Sequence, residues 1–341
     1  MICYLILSNC PLVASRGVIS VTFAENLSKS IYNLFNYQAL TNQVPYQPGQ
    51  MFFTGCASPP SLVRLLAALS LVTLTAVNCF KTVAGIRVTN FLTFGKITGL
   101  VVIIVAGIGY LASGNTGNVK DMAGGSSADP GDYILAFYSA TFAYGGIQGA
   151  INMVEEIKEP LARNILMAVA ASFGTVTVLY MLTNFAYMAV LPTAEFLSSE
   201  AVAISFSFKI FAGLFWLMPF FVACSTLGAV NSNVMNTARM MMAAARKGHL
   251  PTVFSFIHVK RMTPIPVLAL NALATLLILA IKDFKLVLVY TSYIGNIVAF
   301  GSALSLVVMR FRRKDIVRPF KLPLVVPIML ILFQSAALGK C

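Results

Sequence analysis

A succession of long apolar runs constrains this chain more than any other feature of its sequence. A membrane-spanning helix needs about 20 consecutive, mostly apolar residues, since its backbone polar groups must all be satisfied within the helix. The first run, 2–24, is a doubtful span because it contains Asn9, Pro11 and Arg16. The other runs predict spans at 61–80, 88–112, 133–154, 164–191, 205–231, 264–281, 286–309 and 322–338. We therefore expect an all-α polytopic membrane protein.

The composition supports this class and argues against others. Hydrophobic residues make up 58% of the 341 residues and charged residues only 10%, whereas soluble domains carry roughly 25% charged residues. The formal net charge of +13 falls in short connections, so a membrane explains it better than a nucleic acid partner does. The 2 histidines and 6 cysteines show neither metal-ligand spacing nor a small disulfide framework. We expect no metal, no cofactor and no enzymatic activity.

Lysine and arginine are concentrated in alternate connections between the runs. Cytoplasmic loops of membrane proteins carry the excess of these residues. The basic connections, which include 81–87, 158–163, 239–261 and 310–321, are therefore predicted to face the cytoplasm. The connections at 25–60, 113–132, 192–204 and 282–285 are predicted to face outward.

The run 133–154 is interrupted near its middle by Gly145 and Gly146. An interior glycine costs about 1 kcal/mol of helix stability relative to alanine, and an opened helix in lipid exposes unsatisfied backbone groups. One interpretation is a broken helix that lines a cavity and holds substrate, as in many transporters. The alternative is that Gly145, Gly146, Gly149 and Ala150 let a neighbouring helix approach closely. The glycines alone leave both interpretations open.

Polar side chains within other runs are further candidates for function. Lys96 is the one charged residue of the run 88–112. It could extend to the cytoplasmic interface, or it could face the bundle interior, where intramembrane charges mark ion and substrate pathways. Asn231 and Asn233 follow Ser225 along another run, and they either bond neighbouring helices or line a polar cavity.

Two stretches outside the spans also carry information. Residues 233–247 have a methionine-rich face and a basic end, which predict an amphipathic helix in the membrane interface, with Gly248 as its C′ residue. In the loop 25–60, Cys56 is the only cysteine predicted to lie exposed on the outer side. It either forms an intermolecular disulfide or remains a free thiol against the membrane.

Several ordered motifs give the chain a resemblance to a known family. They are FAYGG at 142–146, VEEIKEPLARN at 154–164, LTNFAYMAVL at 182–191, LSSEAVA at 197–203, STLGAVNS at 225–232, RKGHLP at 246–251, RMTPIPVL at 261–268 and MRFRRKDIVRPFKLPLVVPI at 309–328. Together they resemble the light-chain subunits of heteromeric amino-acid transporters, the L-type family and its relatives in the APC superfamily. The resemblance runs from about residue 12 to about residue 330 and is densest from residue 134 onward.

The resemblance implies about twelve spans around a LeuT-like core of two inverted five-helix repeats. We expect one transmembrane domain over 1–338, with a first-repeat remnant at 1–112, a complete second repeat at 133–309 and an additional span at 322–338. On this alignment the family's first two spans and its last are absent. The sequence is therefore expected to be a fragment, an incomplete gene model or a truncated isoform.

The resemblance also assigns candidate site residues. The carbonyls of Phe142, Ala143 and Gly145 would end a half-helix and suit a substrate ammonium, and the Phe142 ring would close over the substrate. Lys96 matches a lysine whose ammonium replaces a bound sodium ion, and Ser225 lies on the span that faces it. The residues expected to bind substrate are Phe142, Ala143, Tyr144, Gly145, Gly146, Asn231 and Asn296.

The implied function is sodium-independent exchange of large neutral amino acids across the plasma membrane, since no charged side chain lies in 142–149. One alternative is a broader exchanger that accepts cationic amino acids or cystine. Another is a truncated, transport-dead subunit with an assembly role only. Because the family's first span supplies the N–H groups for the substrate carboxylate, these residues alone are expected to bind no amino acid. The expected partner is a single-pass glycoprotein heavy chain, joined through Cys56.

Overall fold

The computed structural model describes most of the chain beyond residue 60, and the regular structure that it describes is helical. The described residues are 16, 17, 19–25, 27, 60–120, 133, 144, 157, 159–199, 202–211, 217–280, 284–312 and 323–339. Residues 16, 17, 19–25 and 27 are helical and are called the N-terminal helical segment. The helices are α1 (Pro60–Phe80), α2 (Thr82–Ala112), α3 (Gly117–Lys120), α4 (Leu161–Val190), α5 (Thr193–Ser198), α6 (Val202–Ile210), α7 (Leu217–Arg246), a 3-10 helix (Thr252–Ser255), α8 (Ile265–Leu279), α9 (Phe284–Arg312) and α10 (Val325–Gly339).

Five helices of the described chain are long and apolar enough to cross a membrane. They are Pro60–Phe80, Thr82–Ala112, Arg163–Val190, Leu217–Arg246 and Ile294–Arg312. Two shorter apolar helices, Ile265–Leu279 and Val325–Ser335, occupy two further predicted runs. The predicted run 133–154 lies outside the described residues except for Tyr133 and Tyr144. The prediction of an all-α polytopic membrane protein is confirmed.

Helix α7 lies at the centre of the packing because it takes part in both clusters of buried apolar side chains. The larger cluster joins α7 to α1, α8 and the N-terminal helical segment. The smaller cluster joins the beginning of α7 to α2, α4 and α6. The most extensive contact between two described helices is the one between α7 and α2. Helix α7 is therefore the frame on which the candidate site residues are placed.

The stretch 233–247 is not an interfacial helix, so that prediction is wrong. It continues α7 without a break as far as Arg246, and Val234, Ala238 and Met241 are buried in the larger cluster. Its methionine and alanine residues are strong helix formers, and their apolar face meets other helices rather than lipid. The sequence pattern correctly predicted an amphipathic helix. Its apolar face packs against α1 and α8, where an interfacial helix would pack against lipid.

The prediction that Gly248 ends this helix is confirmed. Gly248 has φ +74°, a left-handed conformation that glycine adopts without a Cβ penalty. Its N–H donates to the carbonyl of Ala245 at 3.0 Å, and the N–H of His249 donates to the carbonyl of Ala244 at 3.0 Å. These two bonds satisfy the last carbonyls of α7 in a Schellman arrangement.

Helix α2 begins at Thr82, before the start of the predicted run at residue 88. Lys81 alone separates it from α1, with an extended backbone at φ −156° and ψ 130°. Arg87 therefore lies within α2 rather than in a loop, because no proline interrupts Thr82–Arg87 and Gly85 packs closely on Asn78. The run predicted at 205–231 also differs, since α6 ends at Ile210 and α7 begins at Leu217.

Three long-range hydrogen bonds show which connections share an end of the bundle. The side chain of Asn118 donates to the carbonyls of Ala189 and Val190, at 3.2 Å each. The hydroxyl of Thr263 donates to the carbonyl of Cys79 at 3.0 Å. The connections after α2 and α4 thus lie together, and those after α1 and before α8 lie together. This grouping agrees with the predicted alternation of sides.

Candidate functional site

Small residues bring α2 and α7 unusually close together. A Cβ added to Gly99 would lie 2.8 Å from the Cβ of Phe221, and one added to Gly228 would lie 3.2 Å from the Cβ of Leu92. Gly95 faces Cys224, and a Cβ added to Gly95 would lie 3.6 Å from the Cβ of Cys224. Small residues at such positions let membrane helices approach and hydrogen-bond across the contact.

Asn231 stands in this contact and is fully buried. Its Nδ2 donates to the carbonyl of Gly85 at 2.9 Å and to the hydroxyl of Thr89 at 2.8 Å, both on α2. Its Oδ1 accepts from the Nδ2 of Asn78, on α1, at 2.6 Å. One amide therefore binds the end of α1 and the beginning of α2 to α7.

Asn78 completes this cluster of side chains. Its Nδ2 also donates to the carbonyl of Leu74 in its own helix, at 2.8 Å. Its side chain leaves no room for a larger residue at Gly85, because a Cβ there would lie 3.0 Å from the Asn78 Cγ. Of the two roles open to Asn231, the structure shows the bonding of neighbouring helices. A role for Asn231 in binding substrate stays a prediction.

Lys96 and Ser225 flank the same contact between α2 and α7. Lys96 follows Gly95, and Ser225 follows Cys224, and these two neighbours face each other. The side chain of Lys96 is exposed and Ser225 is half-buried. Within the described part of the chain Lys96 makes no hydrogen bond or ion pair. The two helices meet as the resemblance implied, and the role of the lysine stays a prediction.

Tyr144 is the one predicted substrate-binding residue of the 142–146 stretch that the structure describes. Its ring stacks on Phe173 of α4, with centroids 5.5 Å apart and an interplanar angle of 2°. It meets Tyr180 edge-on, with centroids 6.1 Å apart, and its hydroxyl lies 3.2 Å from that of Thr177. Phe173, Thr177 and Tyr180 share one face of α4, so Tyr144 is fixed against that helix.

Of the remaining predicted site residues, the structure describes only Asn296. Phe142, Ala143, Gly145, Gly146 and Cys56 lie outside the described residues. Asn296 lies half-buried on α9, which packs on α10. Among the described residues no group of three or more His, Cys, Asp or Glu side chains could hold a metal ion. The described polar groups of the α2–α7 contact are amides and hydroxyls, which suit hydrogen bonding rather than acid–base chemistry.

Sequence reasoning missed two polar contacts inside the bundle. Asn78 and Thr89 were not singled out, although each is a polar side chain within an apolar run. Arg16 interrupts a doubtful span, and the sequence alone does not predict a partner for it. It is fully buried, and its Nη2 donates to the Oδ1 of Asn271, on α8, at 3.2 Å. The sequence signal that could have found these contacts is the isolated polar residue within an apolar run. Such a residue needs a polar partner on another run, because lipid offers none.

The fold and the polar contacts between its long apolar helices define a multi-pass helical membrane protein. The chain belongs to the amino acid permease family, which matches residues 4–338. This membership confirms the resemblance noted from the motifs, and it agrees with the expectation that the chain is not an enzyme.

Relatives within the family are similar over most of this chain. It is 37% identical over 281 residues to the b(0,+)-type amino acid transporter 1 of Mus musculus, which covers 82% of this chain and 58% of the relative. It is 37% identical over 289 residues to the large neutral amino acids transporter small subunit 2 of Homo sapiens, covering 84% of this chain and 54% of the relative. The human b(0,+)-type transporter is 34% identical over 283 residues. The chain thus spans less than two thirds of the length of these relatives. Their names are those of transporters and do not favour a transport-dead subunit.

Proposed function

We propose that this chain is the small subunit of a sodium-independent exchanger of large neutral amino acids in the plasma membrane. The observation that carries the proposal is the 37% identity, over 84% of this chain, to a relative named as a large neutral amino acids transporter small subunit. The uncharged stretch 142–149 supports it, because an acidic or basic substrate side chain would need an opposite charge there.

The proposed binding residues lie around the broken stretch. The carbonyls of Phe142, Ala143 and Gly145 would accept hydrogen bonds from the substrate ammonium, and the Phe142 ring would cover the substrate. Gly146 would keep the backbone open, while Asn231 and Asn296 would supply amides from other helices. The contacts of Tyr144 with Phe173 and Tyr180 support this assignment, because a residue held against a long helix needs less ordering when substrate binds.

The proposed source of sodium independence is Lys96. Its ammonium would occupy the place of a bound cation beside Ser225, between α2 and α7. The close approach of these helices at Gly95 and Cys224 supports this role. A lysine that only reaches for the membrane surface would leave transport unchanged when it is removed.

Counterflow in proteoliposomes, with a protein in which the family's first two spans precede these residues, tests this function. Vesicles preloaded with unlabelled leucine should accumulate labelled leucine saturably, to the same extent in sodium and in choline media. Lys96→Ala should lose most of this uptake, and Lys96→Arg should retain more of it. Lys209→Ala serves as a matched control because Lys209 is an exposed lysine at the end of α6. Uptake that requires sodium, or full uptake by Lys96→Ala, would contradict the proposal.

A second candidate is a broader exchanger that accepts cationic amino acids or cystine. The similarity to the b(0,+)-type transporter of Mus musculus, at 37% identity over 281 residues, favours it. The same vesicles separate the two candidates when they are preloaded with arginine or cystine instead of leucine. Exchange of labelled leucine for internal arginine would support the broader specificity, and exchange restricted to neutral amino acids would support the first candidate.

We further propose a single-pass glycoprotein heavy chain as partner, joined by a disulfide at Cys56. The word "subunit" in the name of the large neutral amino acids transporter relative supports a partner, and the predicted outer position of Cys56 supports the bond. On a non-reducing gel the complex should collapse when reductant is added. Cys56→Ser should abolish the large species, and Cys341→Ser, the control, should leave it intact. A large species that persists in Cys56→Ser would contradict the linkage.

A further inference from the structure

The connection between α7 and α8, residues 247–264, has two different sides. We call it the basic-apolar loop. Its inner side is packed, since Leu250 and Phe254 lie against the larger apolar cluster. Its outer side leaves apolar side chains uncovered: Val253 is 51% exposed, Phe256 58%, Val259 88% and Met262 73%. Four such side chains in one short connection form an apolar surface that a neighbour should cover.

The tip of this loop is held in a fixed turn. The N–H of His258 donates to the carbonyl of Thr263 at 3.0 Å, and the N–H of Met262 donates to the carbonyl of His258 at 2.8 Å. The N–H of Arg261 donates to the His258 Nδ1 at 3.3 Å. Met262 has φ +53°, a left-handed conformation that is uncommon outside glycine. The turn therefore presents Val259 and Met262 by its own bonding.

The turn is also fastened to the bundle. The hydroxyl of Thr263 donates to the carbonyl of Cys79 at 3.0 Å. The guanidinium of Arg261 lies 4.7 Å from the centroid of the Phe80 ring. Both partners stand at the end of α1, which is one of the helices long enough to cross a membrane. The exposed apolar side chains therefore lie where that helix leaves the bilayer.

The charged side chains of this loop and of the helix ends beside it are all basic. Arg246, Lys247, Lys260 and Arg261 are all exposed, and the sequence contains no Asp or Glu between Glu200 and Asp283. The ammonium groups of Lys247 and Lys260 have no hydrogen-bond or ion-pair partner within the described part of the chain. Basic residues that flank apolar side chains at a membrane surface suit anionic headgroups, which attract the charge while the apolar groups enter the acyl boundary.

We propose that the basic-apolar loop docks on the anionic lipid headgroups of the leaflet from which α7 and α8 emerge. Val259 and Met262 enter the headgroup region, and Lys247 and Lys260 contact the anionic groups. The positive charge and the position at the ends of spanning helices select this occupant over a soluble protein partner. The proposal is independent of transport activity and uses the predicted cytoplasmic position of the loop, because anionic lipids are concentrated in that leaflet.

An environment-sensitive probe at the tip tests the docking. A bimane label on Val259→Cys, with the native cysteines replaced by serine, is compared in nanodiscs of phosphatidylcholine alone and with increasing phosphatidylserine. Docking predicts a blue shift and quenching by headgroup-labelled lipid as the phosphatidylserine fraction rises. A label on Asn115→Cys is the control, since it lies beyond the other end of α2, about 45 Å of helix away, and should not respond.

Charge variants test the electrostatic part. Lys247→Gln and Lys260→Gln should each weaken the response to phosphatidylserine about fivefold, as expected for one basic residue near an anionic surface. Lys247→Arg and Lys260→Arg should keep it, and Lys209→Gln, the control on α6, should not change it. The unlabelled wild-type chain gives a second readout, because docking should slow tryptic cleavage after Lys260 in phosphatidylserine nanodiscs. A label at position 259 that stays in water in every lipid mixture, with unchanged cleavage, would overturn the proposal and point to a protein partner.

Discussion

Asn231→Ala should be among the most destabilising single substitutions at the α2–α7 contact. It removes three hydrogen bonds that join α7 to two other helices: those to Gly85, Thr89 and Asn78, at 2.9, 2.8 and 2.6 Å. Hydrogen bonds between membrane helices average about 0.6 kcal/mol each. The three together correspond to about 2 kcal/mol of the free energy of unfolding.

The shared bond makes a sharper test possible through a double-mutant cycle. Asn78→Ala removes the bond to Asn231 and the bond to the Leu74 carbonyl, so it should cost about 1 kcal/mol. Because the two substitutions share one bond, the double variant should cost less than the sum of the single variants by about 0.6 kcal/mol. Asn184→Ala is the control, since that exposed side chain bonds only to the Tyr180 carbonyl in its own helix, and it should stay within about 0.5 kcal/mol of wild type.

The measurement is unfolding of the purified protein in mixed micelles, followed by circular dichroism as the fraction of denaturing detergent rises. A cost for Asn231→Ala no larger than that for Asn184→Ala would refute the reasoning. So would strict additivity of Asn78→Ala and Asn231→Ala, since additivity would mean that the bond between their side chains contributes nothing to the folded state.

Two backbone positions give further predictions by the same unfolding assay. Gly107→Ala should destabilise the protein by about 1–3 kcal/mol, because the new Cβ would lie 2.8 Å from the Cα of Ala186 on α4. The control is Gly174→Ala, whose added Cβ has nothing within 4 Å. This substitution should instead stabilise α4 by up to about 1 kcal/mol. Equal effects of these two alanines would contradict the close contact between α2 and α4. Gly248→Ala should lower the free energy of unfolding by about 1 kcal/mol, because alanine is strained at φ +74°. Gly109→Ala, in open space on α2, is the control and should not destabilise the protein. No loss of stability in Gly248→Ala would mean that α7 ends differently.

The sequence was sufficient for the helices whose apolar runs are set by the bilayer alone. The predicted runs at 61–80 and 164–191 correspond closely to Pro60–Phe80 and Leu161–Val190, because length and the absence of charge decide them. The end of α7 was placed correctly by Gly248, since a left-handed C′ residue is a local requirement. These features depend on a few neighbouring residues and can be read without a partner.

Features that depend on distant partners could not be read in this way. The stretch 233–247 has the pattern of an interfacial helix, and only the positions of α1 and α8 decide that its apolar face is buried in protein. Asn78 and Asn231 are 153 residues apart in sequence, so no local pattern pairs them. The same holds for Arg16 and Asn271, which are 255 residues apart. The motif resemblance supplied the family, but it did not supply these contacts.

The measurement that tests the central claim most directly is equilibrium binding of labelled leucine to a purified protein in which the family's first two spans precede these residues, with Tyr144 as the probe of the broken stretch. We predict saturable binding that does not require sodium. Tyr144→Phe should bind nearly as well as wild type, because it keeps the stacking on Phe173. Tyr144→Ala should bind about tenfold more weakly, since it loses two aromatic contacts worth about 0.5–1.5 kcal/mol each. Tyr133→Ala, which changes an exposed tyrosine near the beginning of the same run, should bind normally. No saturable leucine binding by the wild-type protein, or equal binding by Tyr144→Ala, would contradict the account.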